Sequence, residues 1–271
     1  MIGTTKNHRE REKGVLVYPV YSRRSGGLSV GINLFPDHKL CSFDCPYCEV
    51  FPFSSAQIFS LPLMEEALVE ALAAARERDI PVRDICFSGN GEPTMSPQFP
   101  AALDAAFCVR DREAARAEVV LISNGWGLLD DALFDLLRRS AEQGLRIWLK
   151  LDAGTPAWYE EMDRSSIPFE HLTEKIRAFV RCAPVTLQTM ICAVNGRPPP
   201  PDEAHAWETL VAELALTAAE LRGVQVYGKA RPAPEDPLAA SLPTAFLEAR
   251  AASLRAVLAA AGKEVPVRVY P

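Results

Sequence analysis

His38-Lys39-Leu40-Cys41-Ser42-Phe43-Asp44-Cys45-Pro46-Tyr47-Cys48 concentrates three of the chain's seven cysteines within eight residues. Thiolates this close on one loop can meet at one metal centre without help from distant parts of the chain. The Cys-x3-Cys-x2-Cys spacing supplies three ligands. A [4Fe–4S] cubane held by Cys41, Cys45 and Cys48 keeps one iron without a protein ligand, open to a small molecule. The alternative is a structural zinc site of the Cys3His type, with His38 as the fourth ligand. Short runs of Cys and His often read as zinc. The spacing alone leaves both open.

Upstream, residues 15–20 are apolar and β-rich, Ser22-Arg23-Arg24-Ser25-Gly26-Gly27 is a turn signal, and 28–34 reads as a strand running straight into the cysteine loop. Downstream, 60–78 carries Leu61, Leu68, Ala71, Leu72 and Ala75 on one stripe, an amphipathic helix with Ser60 as its N-cap. The buried strand 84–88 follows and ends in Gly89-Asn90-Gly91-Glu92-Pro93-Thr94. Two glycines there allow unusual backbone angles and close approach of a ligand. The alternation then continues. Helices are predicted over 96–112 (capped by Ser96, with Pro97 next), 130–139, 167–180, a stretch capped by Asp202 and 243–261. The strands between them are 118–123, 145–151, 185–191 and 224–227, with a short final strand over 265–270. Six strand–helix units with buried parallel strands are expected, two short of a closed barrel. In such a fold the chemistry sits at the C-terminal strand ends.

Polar residues at those ends are the site candidates. Asn124 closes the third strand of this series. Lys150 and Asp152 lie on one side of the fourth by alternation; they read either as cofactor-facing groups, with Asp152 holding Lys150 or a substrate, or as a buried ion pair. Gln188 stands in an apolar strand, as a cofactor contact or a satisfied core amide. Arg23 and Arg24 can line the mouth.

The cysteine motif, with Tyr47 just before its third cysteine, and the Gly91-Glu92-Pro93 turn one strand and one helix later resemble the radical S-adenosylmethionine (SAM) superfamily. The resemblance implies an α/β fold: an open six-unit (β/α)6 partial TIM barrel. It implies an enzyme whose [4Fe–4S] cluster chelates SAM at the open iron and cleaves it reductively to a deoxyadenosyl radical. It implies that Gly89, Asn90, Gly91 and Glu92 receive the SAM amino end and that Tyr47 lies near adenine. Asn124, Lys150, Asp152 and Gln188 become further candidate SAM contacts, Lys150 toward the carboxylate and Gln188 toward the ribose. An electron donor such as flavodoxin or ferredoxin is implied as partner. Ser22-Arg23-Arg24, Gly31-Ile32-Asn33-Leu34, Phe43 to Cys48, Ser88 to Thr94 and Arg231-Pro232 resemble stand-alone Fe–S oxidoreductases related to wyosine-base synthases. Those synthases modify a tRNA guanine and carry extra N-terminal cysteines. This chain has none before Cys41.

The 271 residues suit one barrel-like domain, and 48% apolar residues suffice for its core. Residues 1–14 read as a flexible tail, 15–237 as the barrel, and 238–271 as a C-terminal helix and strand packed on it. Cys86, Cys108, Cys182 and Cys192 stand apart in apolar settings and are expected to be buried. No apolar run spans a membrane and no signal-peptide core is visible, which points to the cytoplasm. The net charge of −6, from 29 basic and 35 acidic residues, argues against a large nucleic-acid footprint. The cations expected near the mouth, Arg23, Arg24, Lys39, Lys229 and Arg231, suit one carboxylate or phosphate. The substrate expected is a small anion; tRNA is the alternative, and a zinc-stabilised binding module a further one.

Overall fold

The computed structural model describes residues 14–271. The tail expected over 1–14 lies outside the described residues except for Gly14. The chain forms β1 (Val17–Ser22), β2 (Gly27–Ile32), α1 (Leu61–Glu77), β3 (Val82–Phe87), α2 (Phe99–Glu113), β4 (Glu118–Ser123), α3 (Asp131–Glu142) and β5 (Leu145–Lys150). It continues with α4 (Pro156–Met162), α5 (Phe169–Val180), β6 (Val185–Ile191), β7 (Ala193–Val194), α6 (Pro201–Thr217), β8 (Leu221–Gly228), β9 (Ala239–Ala240), α7 (Thr244–Ala260) and β10 (Val267–Tyr270). Single 3-10 turns over Pro93–Met95 and Trp126–Leu129 follow β3 and β4.

One eight-stranded sheet runs in the order β1-β2-β3-β4-β5-β6-β8-β10. β2, β3, β4, β5, β6 and β8 are parallel neighbours, each followed by a helix, which gives the six units. The edges add what the repeat did not predict. β1 pairs antiparallel with β2 through a tight hairpin, Val17 opposite Ile32 and Ser22 opposite Gly27. β10 pairs parallel with β8, so Val267–Tyr270 extends the sheet. Tyr270 Oη donates to the Arg24 carbonyl at 3.5 Å, bringing the two ends of the open sheet together.

Alternation explains the layering. Val30, Ile32, Ile85, Phe87, Val119, Leu121, Ile147, Leu149, Val185, Leu187, Val224 and Val226 are buried in the continuous core under the helices. Their neighbours face inward, where Cys86, Val120 and Trp148 form a small separate cluster with Ile122. α1 buries Met64, Leu68, Leu72 and Ala75, and Phe87 meets Phe99 of α2 edge to face at 5.5 Å.

Several local expectations are corrected. Ser60 is at the α1 N-cap, but its side chain makes no capping bond; Pro62 sets the first turn instead. α2 starts at Phe99, not at Pro97, because Ser96 Oγ accepts from Gln98 N in a turn before the helix. Asp202 lies within the first turn of α6, and the cap position is Pro200. α4 was not foreseen; Thr155 caps it by accepting from Trp158 N at 3.2 Å. Cys86 and Cys192 are buried, but Cys108 and Cys182 are exposed, on the outer side of α2 and just past α5. Among the described residues, no helix is long and apolar enough to cross a membrane.

Candidate active site

Because the six core strands are parallel, their C-terminal ends and following loops gather at one rim. There they enclose a cavity of about 300 Å³. Cys41, Cys45 and Cys48 all line it, together with Tyr47, Gly89, Gly91, Glu92, Asn124, Lys150 and Gln188.

The cysteine loop is held by backbone. Leu40 N donates to Asn90 O at 3.1 Å and Glu92 N donates to Leu40 O at 2.9 Å, a one-residue parallel bridge between Leu40 and Gly91. This approach requires glycine: a Cβ on Gly91 would overlap the Leu40 carbonyl. Gly89 likewise lets Asn33 close in. Asn33 Oδ1 accepts from Phe35 N and Asn90 N, both at 3.1 Å. Further along, Cys48 N donates to Cys45 O at 3.0 Å, closing a turn around Pro46 and Tyr47, and Asp44 N donates to Asp163 O at 3.0 Å.

Glu92 is the joint between two strand ends. Its Oε1 accepts from Thr94 N at 3.2 Å, Thr94 Oγ1 at 2.7 Å and Ser123 Oγ at 2.8 Å, and its Oε2 accepts from Asn124 N at 2.7 Å. Burial raises its pKa against those four bonds. The bonds occupy nearly all the carboxylate's acceptor sites. Asn124 is placed in turn; its Nδ2 donates to Ser42 Oγ at 3.1 Å and approaches Cys41 Sγ at 3.6 Å.

Lys150 stands between two buried carboxylates. Its Nζ is 2.6 Å from Asp152 Oδ2, pairs with Asp163 Oδ1, and donates to Cys45 Sγ at 3.5 Å. It also lies 4.9 Å and 5.1 Å from the ring centroids of Phe43 and Tyr47. Burial raises the Asp163 carboxyl, while Lys150 opposes the rise. Asp152 does more than hold Lys150: it takes the Tyr47 hydroxyl and accepts from Met190 N at 2.9 Å. Tyr47 thus turns its hydroxyl into the floor while lining the cavity.

Two predicted site residues are not at the cavity surface. Asn90 is buried; its Nδ2 donates to Phe35 O at 3.1 Å, so it stitches the loop and faces away. Asp152 lies beneath Lys150 and Tyr47. Gln188 combines both of its readings, since it lines the cavity and its Nε2 donates to Gln225 Oε1 at 2.7 Å. Arg23, Arg24, Lys39 and Arg231 line the cavity, whereas Lys229 pairs with Asp236 at 2.5 Å. Asp163 was missed. It follows a helix that the sequence did not signal, and only the fold brings it to Cys45.

The thiol arrangement discriminates between metals. Burial and Glu92 push Cys41 up to about 11, and burial pushes Cys45 higher still, so both keep their protons until a metal displaces them. Among the described residues, no three His, Cys, Asp or Glu side chains converge on a point suited to one ion. A zinc ion needs its ligands within about 2.3 Å of one centre. A cubane takes each thiolate on a separate iron, which suits three thiols spread round one cavity. His38 is turned outward, half exposed, with Nδ1 2.7 Å from Asp37 Oδ2. The donor set fits the cluster, and among the described residues His38, the expected fourth zinc ligand, does not line the cavity with the three thiols.

Solved structures share this architecture. The Streptococcus suis SuiB structure bound to S-adenosylmethionine aligns with a TM-score of 0.63 at 11% identity, over 86% of this chain and 49% of that one. SuiB bound to its precursor peptide SuiA aligns equally well over 92% of this chain and 51% of that one. TYW1 with a lysine-pyruvate adduct aligns at 0.54 and 12% identity, over 84% of this chain and 73% of that one. The shared fold is an open, partial (β/α) barrel. At these identities the likeness is one of fold. No protein-family model matches the chain. A UPF0026 protein of Helicobacter pylori strain 26695 is 34% identical over 82 residues, 30% of this chain, and its strain J99 counterpart 32% identical over 82. The chain thus spans about a quarter of the length of these curated relatives, 26% in each case. On this barrel, the cysteine loop after β2 and the Gly91-Glu92 turn after β3 are adjacent and mutually bonded.

Proposed function

We propose that this chain is a radical SAM enzyme in which Cys41, Cys45 and Cys48 hold a [4Fe–4S] cluster. One observation carries the reading: three thiols of a single loop line one cavity at the C-terminal rim of a partial barrel, strapped by backbone to the Gly91-Glu92 turn. When bound, the cluster supplies the electron that cleaves SAM to a deoxyadenosyl radical; this hard chemistry belongs to the cofactors. The chain's own residues position and shield. Gly91 lets the loop sit on the β3 end. Glu92 locks the β3 and β4 ends together and so fixes Asn124 beside Cys41. Lys150 places a positive charge near Cys45, held there by Asp152 and Asp163, where it favours thiolate over thiol. Tyr47, whose ring lines the cavity, would lie near the adenine of bound SAM. Gln188, fixed by Gln225, offers the remaining polar edge. The reducing electron would come from a flavodoxin- or ferredoxin-like donor, and the substrate abstracted would be small, with a tRNA base as the competing choice.

Anaerobic reconstitution tests this. The expected product is brown protein with about four irons and four sulfides per chain, which releases 5′-deoxyadenosine and methionine from SAM on reduction with dithionite. Cys41→Ala, Cys45→Ala and Cys48→Ala should each abolish both signals. One stoichiometric zinc with no sulfide would overturn the reading.

A further inference from the structure

Part of the cavity wall carries Arg23 and Arg24 from the β1–β2 hairpin and Arg231 from the loop after β8. Arg231 Nη1 donates to Glu49 Oε2 at 2.8 Å, but its Nε–H is buried with no partner. Arg24 is seated on aromatic faces, 4.9 Å from the Tyr227 ring centroid and 5.8 Å from that of Trp148. Arg23 takes part in no hydrogen bond or ion pair among the described residues. Burial, then Arg231 and Arg24, lower its pKa, which records how closely the three cations are crowded. Two carboxylates answer them: Glu49 in the wall, and Asp84, within electrostatic reach of Arg24. Arg23 exposed at the rim, half-buried Arg24 and Arg231, two carboxylates and one unmet donor make a site that an oxyanion would complete. Arginine's fork suits carboxylate and phosphate oxygens.

We propose that this part of the cavity wall anchors the substrate, with Arg23 and Arg231 holding a carboxylate or phosphate. The rest of the substrate then extends past Trp148 and Gln188 toward the cysteine loop. The proposal rests on the enzyme reading above and deepens it by assigning the substrate's anionic group to the hairpin and the loop after β8. Arg24, fixed by its two rings, is a positioning residue that sets the floor.

The test is binding to the full-length protein without cluster, titrated separately with inorganic phosphate and with acetate, followed by calorimetry and tryptophan fluorescence. One of the two probes should saturate a single site, and which one does so identifies the head group. Arg23→Gln and Arg231→Gln should each weaken binding about tenfold or more. Arg231→Lys should weaken it less, because it keeps the charge. Arg146→Gln, whose Nε pairs with Glu118 at 2.8 Å outside this site, should leave it unchanged. In reconstituted protein, saturating SAM should leave the probe's affinity as it was. The proposal is overturned by no saturable binding of either probe, by unchanged affinity in folded Arg23→Gln and Arg231→Gln, or by displacement of the probe by SAM. Arginine-dependent binding of bulk tRNA with none of the small probes would also overturn it. Binding is read without iron, so a failed anchor and a failed cluster are told apart.

Discussion

Gly91 shows how a single hydrogen atom in place of a side chain holds a site together. The Leu40 carbonyl occupies the space where a Cβ would sit, and both partners are backbone, so neither can swing aside. Gly91→Ala should therefore lift the loop off the β3 end. A cost of roughly 1–3 kcal/mol is expected for such overpacking, read as a lower denaturation midpoint, together with lower iron content after reconstitution. Retention of both would separate the strap from cluster binding. At this scale the sequence was legible where chemistry is local. The three cysteines, Glu92, Asn124 and Lys150 were singled out from their types and positions, and the fold brings them to one cavity. Asn90 was misjudged because the loop it stitches, at Phe35, lies 55 residues away in the chain. Asp163 carried no local signal at all.

Elements position these residues, and one of them does so through a titratable group. Glu203 in the first turn of α6 is buried; it accepts from Gly154 N at 2.6 Å and from Thr155 Oγ1 at 2.6 Å. It thereby holds the loop between β5 and α4, which leads on to Asp163. Burial raises its pKa from 4.5 to about 7. Between those values the folded chain binds the proton and the unfolded chain does not, so this group's contribution is full below 4.5 and is lost as pH rises toward 7. The loss is on the order of 3 kcal/mol. Glu203→Gln should flatten that part of the stability–pH curve, measured by urea denaturation at pH 5 and pH 7.5; an unchanged slope would remove Glu203 as its source. Period-2 burial and apolar stripes made the six units readable. α4 was hidden because it is short and its buried face, Trp158, Tyr159 and Met162, is only one turn and a half long. The antiparallel β1 was seen as an apolar stretch, but its pairing direction depends on the hairpin and leaves no periodic trace.

On the scale of the whole molecule, the sheet is open and its ends are managed by β1 and β10. β10 covers the edge of β8, and Tyr270 reaches Arg24 across the gap. A chain ending before residue 265 should expose a bare β8 edge and associate; light scattering at micromolar concentration should detect it, and a truncated chain that stays as dispersed as the full one would show that α7 alone protects the edge. The order of the chain also sets a timetable. Glu49 follows the cysteines by a single residue, yet its partner Arg231 lies 182 residues further on. At typical rates of synthesis that is about ten to forty seconds of translation. The thiols leave the ribosome long before Gly91, Lys150, Asp163 and Arg231 have arrived to enclose them. They pass through an interval of open exposure to oxidants and stray ions, and on the function proposed above stable loading with iron and sulfide would wait until the chain is nearly complete.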